Sequence, residues 1–431
     1  MRVGYECLLP GTRDTGVENS IRGLLGALVR RAPEVEFVVF TRKRGLGQTL
    51  VPCGIDAASI AAVIPPPFRG RLGGGEPGRS PSPNPSPRGG GLLREQGSKA
   101  PGEAHVTRCV SRLADWGRGT RILWQQAVAP VAARRMKLDL YHAPGYVVSP
   151  RFQVPTVVTV YDTIALEFPQ FTTPANAAYY RWAIPRGVRS AAKVVVPSEF
   201  VRSRLTGLLA IPPEKVVMVP LGISPSFRPL DCDEVAERLG GLPFRLPRSF
   251  ALVVGNIDKK KDLPMLLRGY SHCRARKRDR MKLVIAGRPG NDRRRVLETI
   301  RDEGIEEDVL LMGYRTEEEL AALYNAAEVF LYPSHMEGFG LPPLEAMACE
   351  TPAIASGAGA IPEVLGDAAI LVDSQDPQDW SEAVERVLGD RDVRSRLVRD
   401  GRQRSALYTW DRAAERILEV YRECWGSQCH G

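Results

Sequence analysis

Two carboxylates, Glu337 and Glu345, bracket the run Gly338-Phe339-Gly340-Leu341-Pro342-Pro343-Leu344. The stretch before them, Val329-Phe330-Leu331-Tyr332, has the composition of a buried strand. Pro342 and Pro343 suit the first turn of a helix, where a missing N–H costs nothing. The segment therefore reads as strand, glycine loop, helix N-terminus. Such a junction presents backbone N–H groups and the positive end of a helix dipole, and together these receive an anion. Glu337 stands at the loop entrance, and Glu345 is expected on the first helical turn, facing the same mouth. An anion cradle flanked by two carboxylates that accept hydrogen bonds from hydroxyls suits a sugar joined to a diphosphate.

Other chemistry-bearing residues sit at the ends of expected strands. Gly255-Asn256-Ile257-Asp258-Lys259-Lys260-Lys261 follows the strand Phe250–Val254. Gly313-Tyr314-Arg315 and Val158-Thr159-Val160-Tyr161-Asp162 also end strands, and Gly11 to Asn19 joins the first strand to the first helix. Taken singly, each has a plain structural explanation: lysines solvated in a loop, a strand-end turn, a helix cap. Only Gly16 is hard to replace in its loop, because it lets backbone approach a ligand closely.

The elements that must hold these residues alternate along the chain. Strand-like runs are expected at 2–9, 35–41, 157–162, 193–198 and 216–221. A second set falls at 250–256, 282–287, 309–313, 329–334, 352–356 and 369–373. Continuous apolar strands separated by amphipathic helices argue for parallel sheets covered on both faces, an α/β class. Ile21, Leu24, Leu25, Leu28 and Val29 share one helical face, and Thr316 with Glu319 forms a capping box. Ordered structure is expected over 121–135, a stretch interrupted by Pro130. The Gly/Pro/Ser-rich stretch at about 65–104 cannot bury enough apolar surface to fold and is expected to be a disordered insertion.

A chain of 431 residues exceeds one core. The expected layout is a first domain over 1–222, a Pro/Gly-rich linker over 223–247, a second domain over 248–409 and a helix over 410–431 crossing back. No apolar run approaches a membrane span, and the first residues lack the pattern of a signal peptide, so a cytoplasmic location is expected. The eight cysteines are scattered without zinc spacing; Cys424, Cys429 and His430 read as a frayed tail. The formal charge of +9 fits phosphorylated substrates or peripheral contact with an anionic membrane. No interleaved aromatic pattern supports nucleic-acid binding.

The run Glu337-Gly338-Phe339-Gly340-Leu341-Pro342-x-Leu344-Glu345-Ala346-Met347-Ala348 resembles the donor motif of retaining glycosyltransferases of family four, which have the GT-B fold. Thr351 to Ser356 and Ile361-Pro362-Glu363-Val364 continue the likeness, which covers most of the chain outside the insertion. The family usually has Gly at the place of Glu350, so the turn after the helix is expected to differ.

The resemblance implies two facing Rossmann-like domains, with the second binding a nucleotide-diphosphate sugar and the first a carbohydrate or lipid-linked acceptor. It implies no metal and no cofactor, the nucleotide sugar being a substrate. Lys260 and Lys261 match an Arg-Lys pair that meets the diphosphate. Glu337 would hold the sugar and Glu345 the ribose, with Gly16, Gly255, Tyr314, Gly338, Phe339, Gly340 and Leu341 around the donor. Asp162 lies where the family often has His-Asp; Tyr161 replaces the His and is a poor base near neutrality. Asp162 either orients the acceptor or caps the next helix. GDP-mannose is the implied donor, with UDP-sugars next. A soluble disaccharide synthase and a non-catalytic sugar-nucleotide-binding subunit are the rival readings.

Two motifs are decoys. Asp231-Cys232-Asp233 imitates a metal-binding Asp-x-Asp but lies away from any strand end. Gly357-Ala358-Gly359-Ala360-Ile361-Pro362 imitates a dinucleotide fingerprint but has Pro362 in place of its third glycine.

Overall fold

Short strands rich in Val, Ile, Leu and Phe assemble into two parallel sheets in the computed structural model. It describes residues 1–7, 16–42, 60–63, 106–111, 118–242, 246–276, 281–373 and 375–426. The insertion at about 65–104, most of the loop from Gly11, and Cys429 with His430 lie outside these residues.

The first sheet contains β1 (Arg2–Cys7), β2 (Glu36–Arg42), β3 (Ile60–Val63), β4 (Val106–Ser111), β5 (Leu140–Ala143), β6 (Thr156–Thr159), β7 (Lys193–Val196) and β8 (Val216–Met218), in the order β3-β4-β2-β1-β5-β6-β7-β8. The second contains β9 (Phe250–Val254), β10 (Lys282–Ala286), β11 (Val309–Gly313), β12 (Val329–Tyr332), β13 (Ala353–Ser356) and β14 (Ile370–Val372), in the order β11-β10-β9-β12-β13-β14. Both orders reverse direction beside their first strand, at β1 and at β9. In doubly wound sheets ligands collect at that switch point, outside the carboxyl ends of the strands.

Val, Ile, Leu and Phe side chains from both faces of each sheet are buried under helices. That is why the strands read as unbroken apolar runs rather than as alternations. The last helix, Trp410–Gly426, leaves the second domain and lies on the first. Its Trp410, Ile417, Leu418 and Tyr421 join the core that holds β1 and helix Gly16–Arg31. Each such fully buried large side chain contributes roughly 1.5–3 kcal/mol. Tyr421 Oη also meets His142 Nδ1 at 2.7 Å, while His142 Nε2 meets Thr159 Oγ1 at 2.9 Å. Full burial pulls the His142 pKa down to about 3, so the ring is a neutral structural link. Where the chain crosses between domains, Ile223 N donates to Tyr408 O at 3.1 Å, tying the outward and return segments together.

Several local expectations change. The segment 223–247 is not plain linker: it carries helix Cys232–Leu239, which Asp231 opens with a full capping box to Glu234. That role accounts for the Asp-x-Asp imitation. The stretch around Pro130 is helical on both sides of the proline. A π-helical turn, Trp124–Val128, joins Arg118–Leu123 to Ala129–Arg135. The wider turn accommodates a proline ring that would collide with the carbonyl four residues back in a regular helix. The turn after Leu341–Ala348 keeps its usual form despite Glu350, which takes φ +62°. Glu350 N bonds Met347 O at 3.1 Å and Thr351 N bonds Ala346 O at 2.9 Å, the two bonds of a Schellman cap. A left-handed conformation that favours glycine is thus imposed on a glutamate, whose carboxylate pairs with Arg402 at 2.7 Å.

Candidate active site

The carboxyl ends of β9 and β12 adjoin, because the two strands pair side by side. Each ends in a loop that carries charge. After β9, Lys259–Lys261 winds into a single 3-10 turn, which turns Lys261 inward and leaves Lys260 at the cleft rim. After β12 comes Glu337. Lys261 Nζ donates to Glu337 Oε1 at 2.7 Å, and Lys260 Nζ donates to Glu337 Oε2 at 3.2 Å. Lys261 Nζ also donates to Tyr332 Oη at 2.7 Å. Glu337 and Lys261 are each only 8% exposed.

One buried carboxylate thus serves two ammonium groups. Burial alone would raise the Glu337 pKa, but the charges and hydrogen bonds of Lys260 and Lys261 outweigh it and hold it at about 2. Lys261 is under-served. Burial and the neighbouring charge of Lys260 prevail over its share of Glu337, and its pKa falls to about 8. Burial also pulls on Lys260, but the charges of Glu337 and Asp162 exceed it and raise that pKa. Lys261 therefore carries a proton that an arriving anion would stabilise.

The glycine loop shapes the rest of the mouth. Gly340 takes φ +95° and caps helix Leu341–Ala348 without a side-chain bond. Pro342 and Pro343 hold its second and third places, so the backbone donors of its first turn reduce to Leu341 and Leu344. Glu345 is the fifth residue of that helix, on its second turn rather than its first, because the helix begins only after Gly340. Glu345 Oε2 accepts from Tyr324 Oη at 2.9 Å. Burial, with a smaller contribution from Glu317, pushes its pKa up to about 7. Phe339 turns away from the mouth into the core, 5.4 Å edge-on to Tyr408. The decoy glycine run braces the loop: Ala360 N donates to Glu337 O at 3.0 Å.

The first domain closes this cleft by direct contact. A Cβ on Gly338 would stand 1.9 Å from Tyr161 O, so only glycine fits there. Ser198 Oγ donates to Gly338 O at 2.7 Å. Glu363 of the second domain accepts from Glu199 N at 2.7 Å and Phe200 N at 2.9 Å, capping helix Glu199–Leu209 of the first. His335 stacks on Phe171 at 5.8 Å and meets Asp262 at 3.2 Å. Asp162 accepts from Ile164 N at 3.0 Å and so caps the next turn, while its other oxygen accepts from Tyr146 Oη at 2.7 Å. Tyr161 is buried beside Tyr146.

The structure therefore gathers Glu337, Lys260, Lys261, Asp162, Gly338 and Gly255 around one point, with Gly255 backing the Lys261 side chain. Glu345 lies further along the same helix, and its charge still reaches Tyr332. Tyr314 is 37% exposed with the Arg288 guanidinium 4.2 Å over its ring, so its side chain as well as its backbone is presented. Gly16 heads helix Gly16–Arg31, and among the described residues nothing lies within 4 Å of where its Cβ would be. The sequence reading missed Tyr332, Tyr146, Ser198 and Glu363. Two of these carried a signal: Tyr332 as a tyrosine at the carboxyl end of the strand leading into the loop, and Glu363 within the family-like run Ile361 to Val364.

Two family models match the chain: "Glycosyltransferase Family 4" over residues 86–227 and "Glycosyl transferases group 1" over residues 241–404. Among curated proteins, the O-antigen chain mannosyltransferase B of Escherichia coli is 28% identical over 296 residues, 68% of this chain and 76% of that protein. The D-inositol 3-phosphate glycosyltransferase of Acidothermus cellulolyticus is 30% identical over 299 residues, 65% of this chain and 64% of that protein. Among solved structures, Anabaena Alr3699/HepE in complex with UDP and glucose aligns with TM-score 0.67 at 14% identity, covering 97% of this chain and 99% of that one.

Proposed function

The chain belongs to the retaining glycosyltransferases of family four, with the GT-B fold, and from that premise we propose that it moves mannose from GDP-mannose to a hydroxyl of a saccharide acceptor. The observation that carries this reading is the buried Lys260–Glu337–Lys261 cluster at the mouth of the glycine loop. The Escherichia coli relative is an O-antigen chain mannosyltransferase, which favours that sugar and that acceptor class. The HepE structure, which is in complex with UDP and glucose, favours a nucleotide-sugar donor.

In this reading the diphosphate takes over Lys260 and Lys261, aided by the N-terminal end of helix Leu341–Ala348. Glu337 is thereby released to accept hydrogen bonds from the sugar hydroxyls. Glu345, with Tyr324, receives the ribose hydroxyls. The acceptor oxygen bonds to the anomeric carbon on the face from which the diphosphate departs. The C–O bond to phosphate breaks, and the leaving phosphate oxygen takes the acceptor proton. No enzyme nucleophile is required, and the lysine charges stabilise the oxyanion that develops.

Turnover with a panel of GDP-mannose, UDP-glucose and UDP-galactose, using mannose oligosaccharides as acceptors, tests the proposal. Transfer from GDP-mannose is expected. Transfer from UDP-sugars alone would overturn the donor, and nucleotide-diphosphate binding without transfer from any donor would favour a non-catalytic binding subunit.

A further inference from the structure

A row of aromatic rings runs through the first domain from the residues that meet Gly338 out to the surface. From Tyr161 it passes to Tyr146 at 5.6 Å between ring centres, to Tyr180 at 5.9 Å, to Tyr179 at 5.5 Å and to Trp182 at 6.2 Å. Its inner end is the reaction centre. Tyr146 Oη is bonded to Asp162, whose charge reaches Lys260, and Gly338 rests on Tyr161 and Asp162. Its outer end is open: Trp182 is 45% exposed, although the Arg186 guanidinium lies 5.0 Å from its ring centre. Tyr146, Tyr179 and Tyr180 are half-buried between these ends.

Beside the row lie polar groups that the fold does not fully use. Arg121 Nε is buried and has no hydrogen-bond partner among the described residues, and the buried Tyr179 Oη has only the Gln126 side chain to bond with. The Tyr179 hydroxyl lies among Arg121, Glu6 and Gln126. Glu6 itself is engaged, accepting from the Gln125 amide and from Tyr141 Oη at 2.9 Å. Gln125 and Gln126 sit in the π-helical turn Trp124–Val128. Unsatisfied buried polar atoms are expensive to keep, and their persistence beside an aromatic row points to a ligand that brings hydroxyls.

We propose that Tyr146, Tyr180, Tyr179 and Trp182, with Arg121, form an extended acceptor subsite for a neutral oligosaccharide whose terminal hydroxyl reaches Glu337 and Lys260. The proposal rests on the glycosyl-transfer reading above. A pyranose has an apolar C–H face that packs on aromatic rings and a rim of hydroxyls that satisfies orphaned donors and acceptors. A row of neutral phenols is poorly suited to a phosphorylated acceptor, which calls for several converging cations.

The test uses the full chain, with methyl α-mannoside and mannotriose as probes. Trp182→Ala removes the outer ring, and Tyr179→Phe keeps the ring but removes the hydroxyl. Trp182→Ala should raise the KM for mannotriose roughly tenfold, the scale of one lost stacking contact. It should leave both the KM for methyl α-mannoside and the affinity for GDP, read by calorimetry, unchanged. Tyr179→Phe should weaken mannotriose severalfold while sparing GDP. Saturation-transfer NMR of mannotriose with the GDP-loaded protein reads the subsite without turnover. A signal lost in Trp182→Ala supports it even if no donor is turned over, in which case only the transfer reading fails. Equal mannotriose signals in the original chain and in Trp182→Ala, or turnover onto D-inositol 3-phosphate with no mannotriose signal, overturns the subsite and leaves the transfer reading intact.

Discussion

In the proposed donor site, the under-served charge on Lys261 would make diphosphate binding a proton-linked event. Its pKa stands at about 8 against an ordinary 10.5, so holding the proton in the empty site costs about 3 kcal/mol. A diphosphate oxygen beside the ammonium restores what burial and Lys260 take away. If the bound pKa returns to its ordinary range, binding at pH 8 takes up roughly half a proton. Affinity for a nucleoside diphosphate should then be roughly tenfold weaker at pH 9 than at pH 7. The phosphate itself is fully ionised across the upper part of that range, so it does not supply the effect. Calorimetry at pH 8 in two buffers of different ionisation enthalpy measures the proton uptake directly, and Lys261→Met should abolish it. The ligand-free protein gives the reverse sign: between pH 8 and 10.5 its unfolded state binds the extra proton, so its stability rises with pH across that window. Binding without proton uptake, or with the same uptake in Lys261→Met, would refute the assignment of Lys261 as the diphosphate partner.

Three further outcomes are expected. Glu337→Gln leaves two lysines without their shared carboxylate and should destabilise the ligand-free protein by about 3 kcal/mol in denaturant melts near neutrality. Because the Glu337 pKa is depressed to about 2, that deficit should be full above pH 4.5 and fade as pH falls toward 2. Gly338→Ala should leave both domains folded by circular dichroism but lower turnover at least tenfold, because its Cβ would force Tyr161 and the first domain away; unaltered turnover would show that closure does not depend on that contact. Glu350→Gly should raise stability by about 0.5–1 kcal/mol, the relief of a left-handed glutamate less the weak Arg402 pair, and a lower melting temperature would contradict the strain.

Local signals carried the second domain. The β9 and β12 runs are continuous and apolar, the Thr316–Glu319 capping box forms as written, and the lysines and Glu337 meet because adjacent parallel strands end together. The interior of the first domain was not legible for the opposite reason. Glu6 meets Tyr141 and Gln125, and His142 meets Tyr421, only after distant segments pack. No spacing in the chain announces such pairs. The π-turn before Pro130 and the left-handed Glu350 are likewise tertiary solutions that overrule the usual reading of a residue type. Helix Cys232–Leu239 hid among prolines and glycines because it is short and half-exposed, although Asp231 and Glu234 supply a cap that could have found it.

In the proposed reaction the diphosphate leaves from the same face that the acceptor enters, with Glu337 and the two lysines guiding both and no residue attacking the sugar. Proton NMR of the first product formed from GDP-α-D-mannose and a mannose acceptor, recorded before equilibration, reads the anomeric outcome directly. Mass spectrometry of the quenched enzyme checks for a covalent sugar. An α-linked product and no glycosyl-enzyme are expected; a β-linked product, or a sugar covalently attached to Glu337 or Asp162, would contradict front-face transfer.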